Sequence, residues 1–143
     1  MNLPTLTLQQ AQQLLAAALA RARRDQLRPM GVAVLDAAGQ PLALAREDLA
    51  PALRLEIAWG KAAAAVGMVS NTRALAQRAA AHAPFFAAIA ALPGQRFIPY
   101  PGGVPVCDAD GAVLGAIGAS GASADEDEAV CLAAIDALGL RAL

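Results

Sequence analysis

Few residues in this chain have types and spacing suited to chemistry, and Lys61 comes first. It stands in an otherwise apolar, alanine-rich run from Ala58 to Val66. A lysine directed into a cleft binds a carboxylate or phosphate, or serves as a base with a perturbed pKa. Two glycine-rich segments complement it, Pro101-Gly102-Gly103-Val104-Pro105 and Gly118-Ala119-Ser120-Gly121. Successive glycines let backbone amides approach an anion unobstructed. The second segment runs toward Ser123, a predicted helix N-cap, and helix N-termini favour negative charge. Arg46 and Asp48 follow a predicted strand and can pair with each other or line the same cleft. The expected site for a small anionic ligand therefore has Lys61 above Gly102 and Gly103, closed by Ser120 and Gly121, with Arg46 nearby. Plainer readings stand beside this one. Both loops can need glycine on steric grounds alone. Lys61 can lie along the surface and pair with Glu56 or Glu128.

His82 is the only histidine. It is a candidate ligand-binding residue, because neutral imidazole is a common axial ligand of haem iron. Its place before Pro84, at a predicted helix end, equally suits a capping or solvent-facing side chain. Haem binding is therefore expected to be weak, or not to depend on one well-defined axial ligand. Phe85 and Phe86 suit either a porphyrin or a core. A Ser120–His82 catalytic pair would require His82 to be carried across the fold. One histidine and scattered carboxylates give no metal motif. The acidic run Asp125–Glu128 reads as the first turn of a helix, where negative charge complements the dipole.

The composition limits the class of protein. The chain has 143 residues, 57% hydrophobic but only 3% aromatic, with a net charge of −1. One domain over residues 1–143 is expected. Its core must come from Ala, Leu, Val and Ile, and part of its apolar surface is expected to be covered by a dimer or larger homo-oligomer. Without a basic stripe, nucleic-acid binding is not expected. Arg21, Arg23 and Arg24 suit the last turn of a helix. Cys107 and Cys131 lack C-x-x-C spacing and suggest neither a zinc site nor a disulfide framework. Charges interrupt the alanine-rich runs too often for a membrane span, and the N-terminus lacks a signal-peptide pattern. The expected location is the cytoplasm.

These residues must be held by a recognisable set of elements. Thr7 and Gln10 form a capping box ahead of a helix from about Leu8 to Leu27, with Leu8, Ala11, Leu15, Ala18 and Ala22 in one stripe. Gly31–Asp36 and Pro41–Arg46 read as a hairpin around Gly39. Helices follow from about Pro51 to Met68, from Asn71 or Thr72 through His82, and from Pro84 to Leu92. Phe97–Ile98 is a short predicted strand. Val104–Cys107 and Ala112–Ala119 flank a turn at Asp108–Gly111. Ser123 and Glu126 box the start of a final helix, which Gly139 stops.

One internal echo sets the fold class. Val32-x-Val34-x-Asp36-x-x-Gly39-x-x-Leu42 matches Val104-x-Val106-x-Asp108-x-x-Gly111-x-x-Leu114. Each Asp can accept hydrogen bonds from turn amides, and each Gly can take a left-handed turn position. Two such hairpins separated by helices predict an α/β (α+β) domain with an antiparallel sheet, not a doubly wound parallel one. The expected architecture is a three-layer α/β/α sandwich. Its five strands, counted along the chain with Phe97–Ile98 third, are expected in the order 2-1-5-4-3.

Several segments together resemble the GlcG/HbpS family, which includes the C-terminal domain of PduO-type corrinoid adenosyltransferases. They are Val34-Leu-Asp36 with Gly39, Arg46-Glu-Asp48, Gly60-Lys61-Ala62, Pro101–Pro105, Gly115–Gly121 and Asp127-Glu128. The resemblance runs from Thr7 to Leu138 and lies in the order and spacing of these pieces. It implies a profilin-like fold, a five-stranded antiparallel sheet between helices, and assembly into dimers or rings. It also implies haem as a cofactor in some members and a hydrolytic role in at least one branch. The expected function is an oligomeric binder of a small anionic ligand such as haem or another tetrapyrrole. The alternative is a cofactor-independent hydrolase or isomerase acting on a small carboxylated metabolite beside Lys61 and Gly102–Gly103. A third reading is an accessory subunit of a metabolic enzyme.

Overall fold

In the computed structural model, which describes residues 3–143, helix α1 (Leu8–Arg24) opens the chain. Thr7 Oγ1 accepts the Gln10 amide, and Gln10 Oε1 accepts the Thr7 amide. This reciprocal box satisfies two donors that a helix start leaves unpaired. The three arginines fall in its last turn, as their charge predicts. The buried stripe is Ala11, Leu14, Ala18 and Ala22, so Leu14 takes the core position expected of Leu15, and Leu8 is exposed.

Strands β1 (Gly31–Asp36) and β2 (Pro41–Arg46) form the first hairpin, and β3 (Gly103–Cys107) and β4 (Val113–Ser120) the second. Their turns are built alike. Asp36 Oδ1 accepts the Ala38 and Gln40 amides, and Asp108 Oδ1 accepts those of Asp110 and Ala112, all at 2.9 Å. Gly39 and Gly111 supply the left-handed residue, at φ +80° and +86°. β1 and β4 pair antiparallel and join the hairpins.

The sheet order is β2-β1-β4-β3-β5, with β5 formed by Arg141–Ala142 at the C-terminus. The four hairpin strands stand in the expected order, but the edge strand differs. Phe97–Ile98 is not a strand. Phe97 packs on Phe86, with ring centroids 6.0 Å apart, and the Ile98 amide donates to Gly60 O at 3.1 Å. That segment lies on a helix, which leaves the outer edge of β3 free to pair with the C-terminus at Val106 and Cys107.

Side-chain alternation divides the core between the two faces of the sheet. Val32, Val34, Val104, Val106, Ile117 and Ala119 meet α1 and α5 (Ala124–Ala137). Ala33, Leu35 and Ala116 meet α2 (Leu53–Met68). Outside α2 lie α3 (Thr72–Ala81) and α4 (Ala83–Ala90), where Leu75 and Phe86 close a third cluster with Ala64. The few aromatics have a structural counterpart in how closely α2 lies on the sheet. A Cβ on Gly31 would stand 2.6 Å from Leu55 Cα, and one on Gly118 would overlap the Ala58 carbonyl. No helix among the described residues is long and apolar enough to cross a membrane.

Candidate functional site

Lys61 sits on the sheet-facing side of α2, and its side chain is only 3% exposed. Its Nζ donates to Ala119 O at 3.0 Å and to Asp127 Oδ2 at 3.1 Å. Asp127 belongs to the first turn of α5, which the Ser123–Glu126 capping box starts, and its other oxygen accepts the Ala122 amide at 2.9 Å. Burial pushes the Asp127 carboxyl above its ordinary value, against the pull of Lys61 and the Ala122 amide. The Tyr100 ring lies 5.9 Å from the amine. Lys61 is thus enclosed by protein groups, not directed into an open cleft, and its partner is Asp127 in place of Glu56 or Glu128. Glu128 instead pairs with Arg73.

The two glycine segments do converge on Lys61, for a steric reason. Gly102 has φ +123°, and a Cβ there would stand 2.8 Å from Lys61 Nζ. A Cβ on Gly103 would overlap the Lys61 carbonyl. The Gly103 amide donates to Thr72 Oγ1 at 2.8 Å, so it is already satisfied. Thr72 is fully buried, and its hydroxyl returns a bond to Gly103 O at 3.2 Å. Sequence reading placed Thr72 only as a possible cap, a role that Asn71 fills. Ser120 is buried and accepts from Arg54 at 3.2 Å. Gly121 lies against Pro29 and Met30, where a Cβ would come within 2.5 Å of the Met30 Cβ.

Arg46 and His82 lie outside this cluster. Arg46 donates to Ala50 O and borders a shallow recess with Arg23, Glu47 and Asp48. His82 is exposed at the junction of α3 and α4, where it caps both without a side-chain bond to α4. Among the described residues, no group of three or more His, Cys, Asp and Glu side chains gathers to hold a metal ion. Cys107 and Cys131 are both buried and free, and burial raises both thiol pKa values.

Open space lies on the outer side of α2. A recess of about 370 Å³ runs from the β1–β2 turn past Trp59 to Gly94–Arg96. A second, of about 320 Å³, is walled by Met68, Phe85, Ile89, Leu92 and Phe97. The two share Ala63, Gly67, Gln95 and Arg96 as lining. Arg96 stacks on the Trp59 ring at 3.7 Å and pairs with Glu56. Phe85, on the apolar helix α4, is 56% exposed, and Leu92, just beyond that helix, is 53% exposed. The chemistry on offer is an apolar wall with a guanidinium beside it and a thioether, Met68, among its lining. Sequence reading raised Phe85 as a porphyrin contact but missed Arg96, Trp59, Met68 and Gly67. These residues are separated along the chain and meet only when residues 92–97 fold back over α2.

The profile of the HbpS-like family, described as "Haem degrading protein HbpS-like", matches residues 6–136. The chain belongs to the HbpS-like family. Among solved structures, HbpS is 36% identical, with 97% of this chain and 94% of that one covered at a TM-score of 0.84. A double mutant of Streptomyces reticuli HbpS is 35% identical, with 97% and 90% covered at 0.84. A PduOC:heme complex is 29% identical, with 96% and 97% covered at 0.85. A comparison with curated proteins gave no significant match. This HbpS-like chain therefore shares its fold, over nearly its whole length, with a protein crystallised with heme.

Proposed function

We propose that this HbpS-like chain binds haem or a related tetrapyrrole in the groove along α2, as an oligomeric small-ligand-binding protein. The observation that carries the reading is the pairing of the Phe85, Ile89, Leu92 and Phe97 wall with Arg96. A tetrapyrrole offers a broad apolar face and carboxylates on one edge, and ligand sites are typically apolar with a few placed polar groups. The Arg96–Glu56 pair is exposed, and exposed pairs contribute little, so a ligand carboxylate can replace Glu56 at small cost. One potential iron donor is present: Met68 lines the groove, and a thioether can coordinate haem iron, whereas His82 is exposed at the α3–α4 junction and is not among the lining residues. When bound, the group would supply an iron centre, and the chain's part would be to hold its face, edge and one coordination position. The alternative of a hydrolase or isomerase at Lys61 is less favoured, because the Lys61 amine is buried and already paired with Asp127.

The test is titration of the protein with hemin, followed by the Soret band. A saturable one-to-one shift is expected, with His82→Ala retaining it. Arg96→Ala combined with Phe85→Ala should weaken binding about tenfold or more, the scale of losing one charged and one aromatic contact. Absence of a saturable shift in the unmodified protein would overturn the reading.

A further inference from the structure

We propose that Gly67 is a specificity-determining residue: its missing side chain joins the two recesses along α2, so that one extended planar ligand with a carboxylate edge spans both. This rests on the tetrapyrrole reading above and adds where the ligand extends and what admits it.

All but one of the chain's glycines have a conformational or steric reason to be glycine. The chain has twelve. Six have positive φ, the conformation that side chains rarely adopt. Five more, Gly31, Gly60, Gly103, Gly118 and Gly121, would place a Cβ within 3.0 Å of a neighbouring atom. Gly67 alone has neither reason. Nothing lies within 4 Å of its Cβ position, and its φ is not positive.

The helix does not need glycine there either. Gly67 is the next-to-last residue of α2, a helical position at which glycine has a lower propensity than alanine. It is not the helix stop. The left-handed residue that ends α2 is Val69, at φ +51°, a position where glycine would normally be favoured. The fold therefore carries an unfavourable glycine two residues before the position that would benefit from one.

What Gly67 does have is a place on both recesses. It lines the one beside the β1–β2 turn and Trp59, and the one beside Phe85, Leu92 and Phe97. Ala63, one turn earlier on the same face, also lines both. Two small residues one turn apart form a low strip between the recesses, with Arg96 bordering each. A large side chain at 67 would enter open space on the helix face that lines both recesses. The occupant is a flat, partly apolar molecule, with the Arg96 guanidinium matching its negative edge.

The experiment measures hemin affinity by the Soret band, and melting temperature, for Gly67→Leu, Gly67→Ala and the control Ala137→Leu. Ala137 is an exposed position on α5, across the sheet from α2. Gly67→Leu is expected to fold and to weaken hemin binding about tenfold or more, as overfilling a site does. Gly67→Ala is expected to melt at or above the wild-type temperature while weakening hemin about threefold, a smaller case of the same effect. Ala137→Leu should leave affinity unchanged. If Gly67→Leu binds hemin like the wild type, this inference fails and the tetrapyrrole reading stands. If the wild type binds no hemin, both fail. Should the leucine variant not fold, unchanged affinity in a stabilised Gly67→Ala variant overturns the inference.

Discussion

Lys61 Nζ stands 3.1 Å from the Asp127 carboxylate, with both side chains 3% exposed, and the pair ties the middle of α2 to the first turn of α5. The two helices lie on opposite faces of the sheet, so this bond passes by the end of β4, where Ala119 O also accepts from the amine. A buried pair recovers little more than its own desolvation cost, but removing one partner leaves a charge unpaired.

Lys61→Met is therefore expected to lower stability by about 3–5 kcal/mol at neutral pH. The loss should depend on pH. Burial already raises the Asp127 carboxyl above its ordinary value of 3.8, and without Lys61 it rises further. Between the ordinary value and the raised one, the native state binds more protons than the unfolded state, so stability grows as pH falls. Urea midpoints taken from neutral to acidic pH should show the variant drawing closer to the wild type. A deficit that does not change with pH would count against an unpaired Asp127 as its cause.

Gly118→Ala should destabilise the protein by about 1–3 kcal/mol, because the added carbon overlaps the α2 backbone at Ala58. Chemical denaturation provides the check. A neutral result would mean that α2 can lift from the sheet without cost.

The two thiols should be silent in the folded protein. Cys107 is 2% exposed and Cys131 fully buried, and burial raises both pKa values, so little thiolate forms. A colorimetric thiol reagent should label neither cysteine quickly in native buffer and both in denaturant. Rapid native labelling of either one would show that its cover opens.

Assembly into at least a dimer is expected at micromolar concentration. Leu49, Leu53, Phe85 and Leu92 are each more than half exposed, and such surface is usually covered by a partner or ligand. Light scattering on the ligand-free protein measures this directly, and a monomer would contradict it.

Features built from neighbours along the chain follow from residue order alone. Both capping boxes pair groups three residues apart, and both hairpin turns bind an Asp to amides two and four residues on. These bonds depend on local backbone geometry, so residue type and spacing suffice to predict them. Tertiary structure decided what depends on how elements rotate and dock. A lysine on an alanine-rich helix can face solvent, a cleft or a carboxylate. Only the seating of α2 on glycines from three strands turned Lys61 inward toward Asp127, 66 residues away. The edge strand was decided in the same way. Phe97 and Ile98 gained more by packing on Phe86 and Gly60 than by pairing with β3, and the C-terminus took the open edge. Gly67 is the limiting case. Its type is legible in the sequence, but the empty space beside it exists only where α2, α4 and residues 92–97 come together.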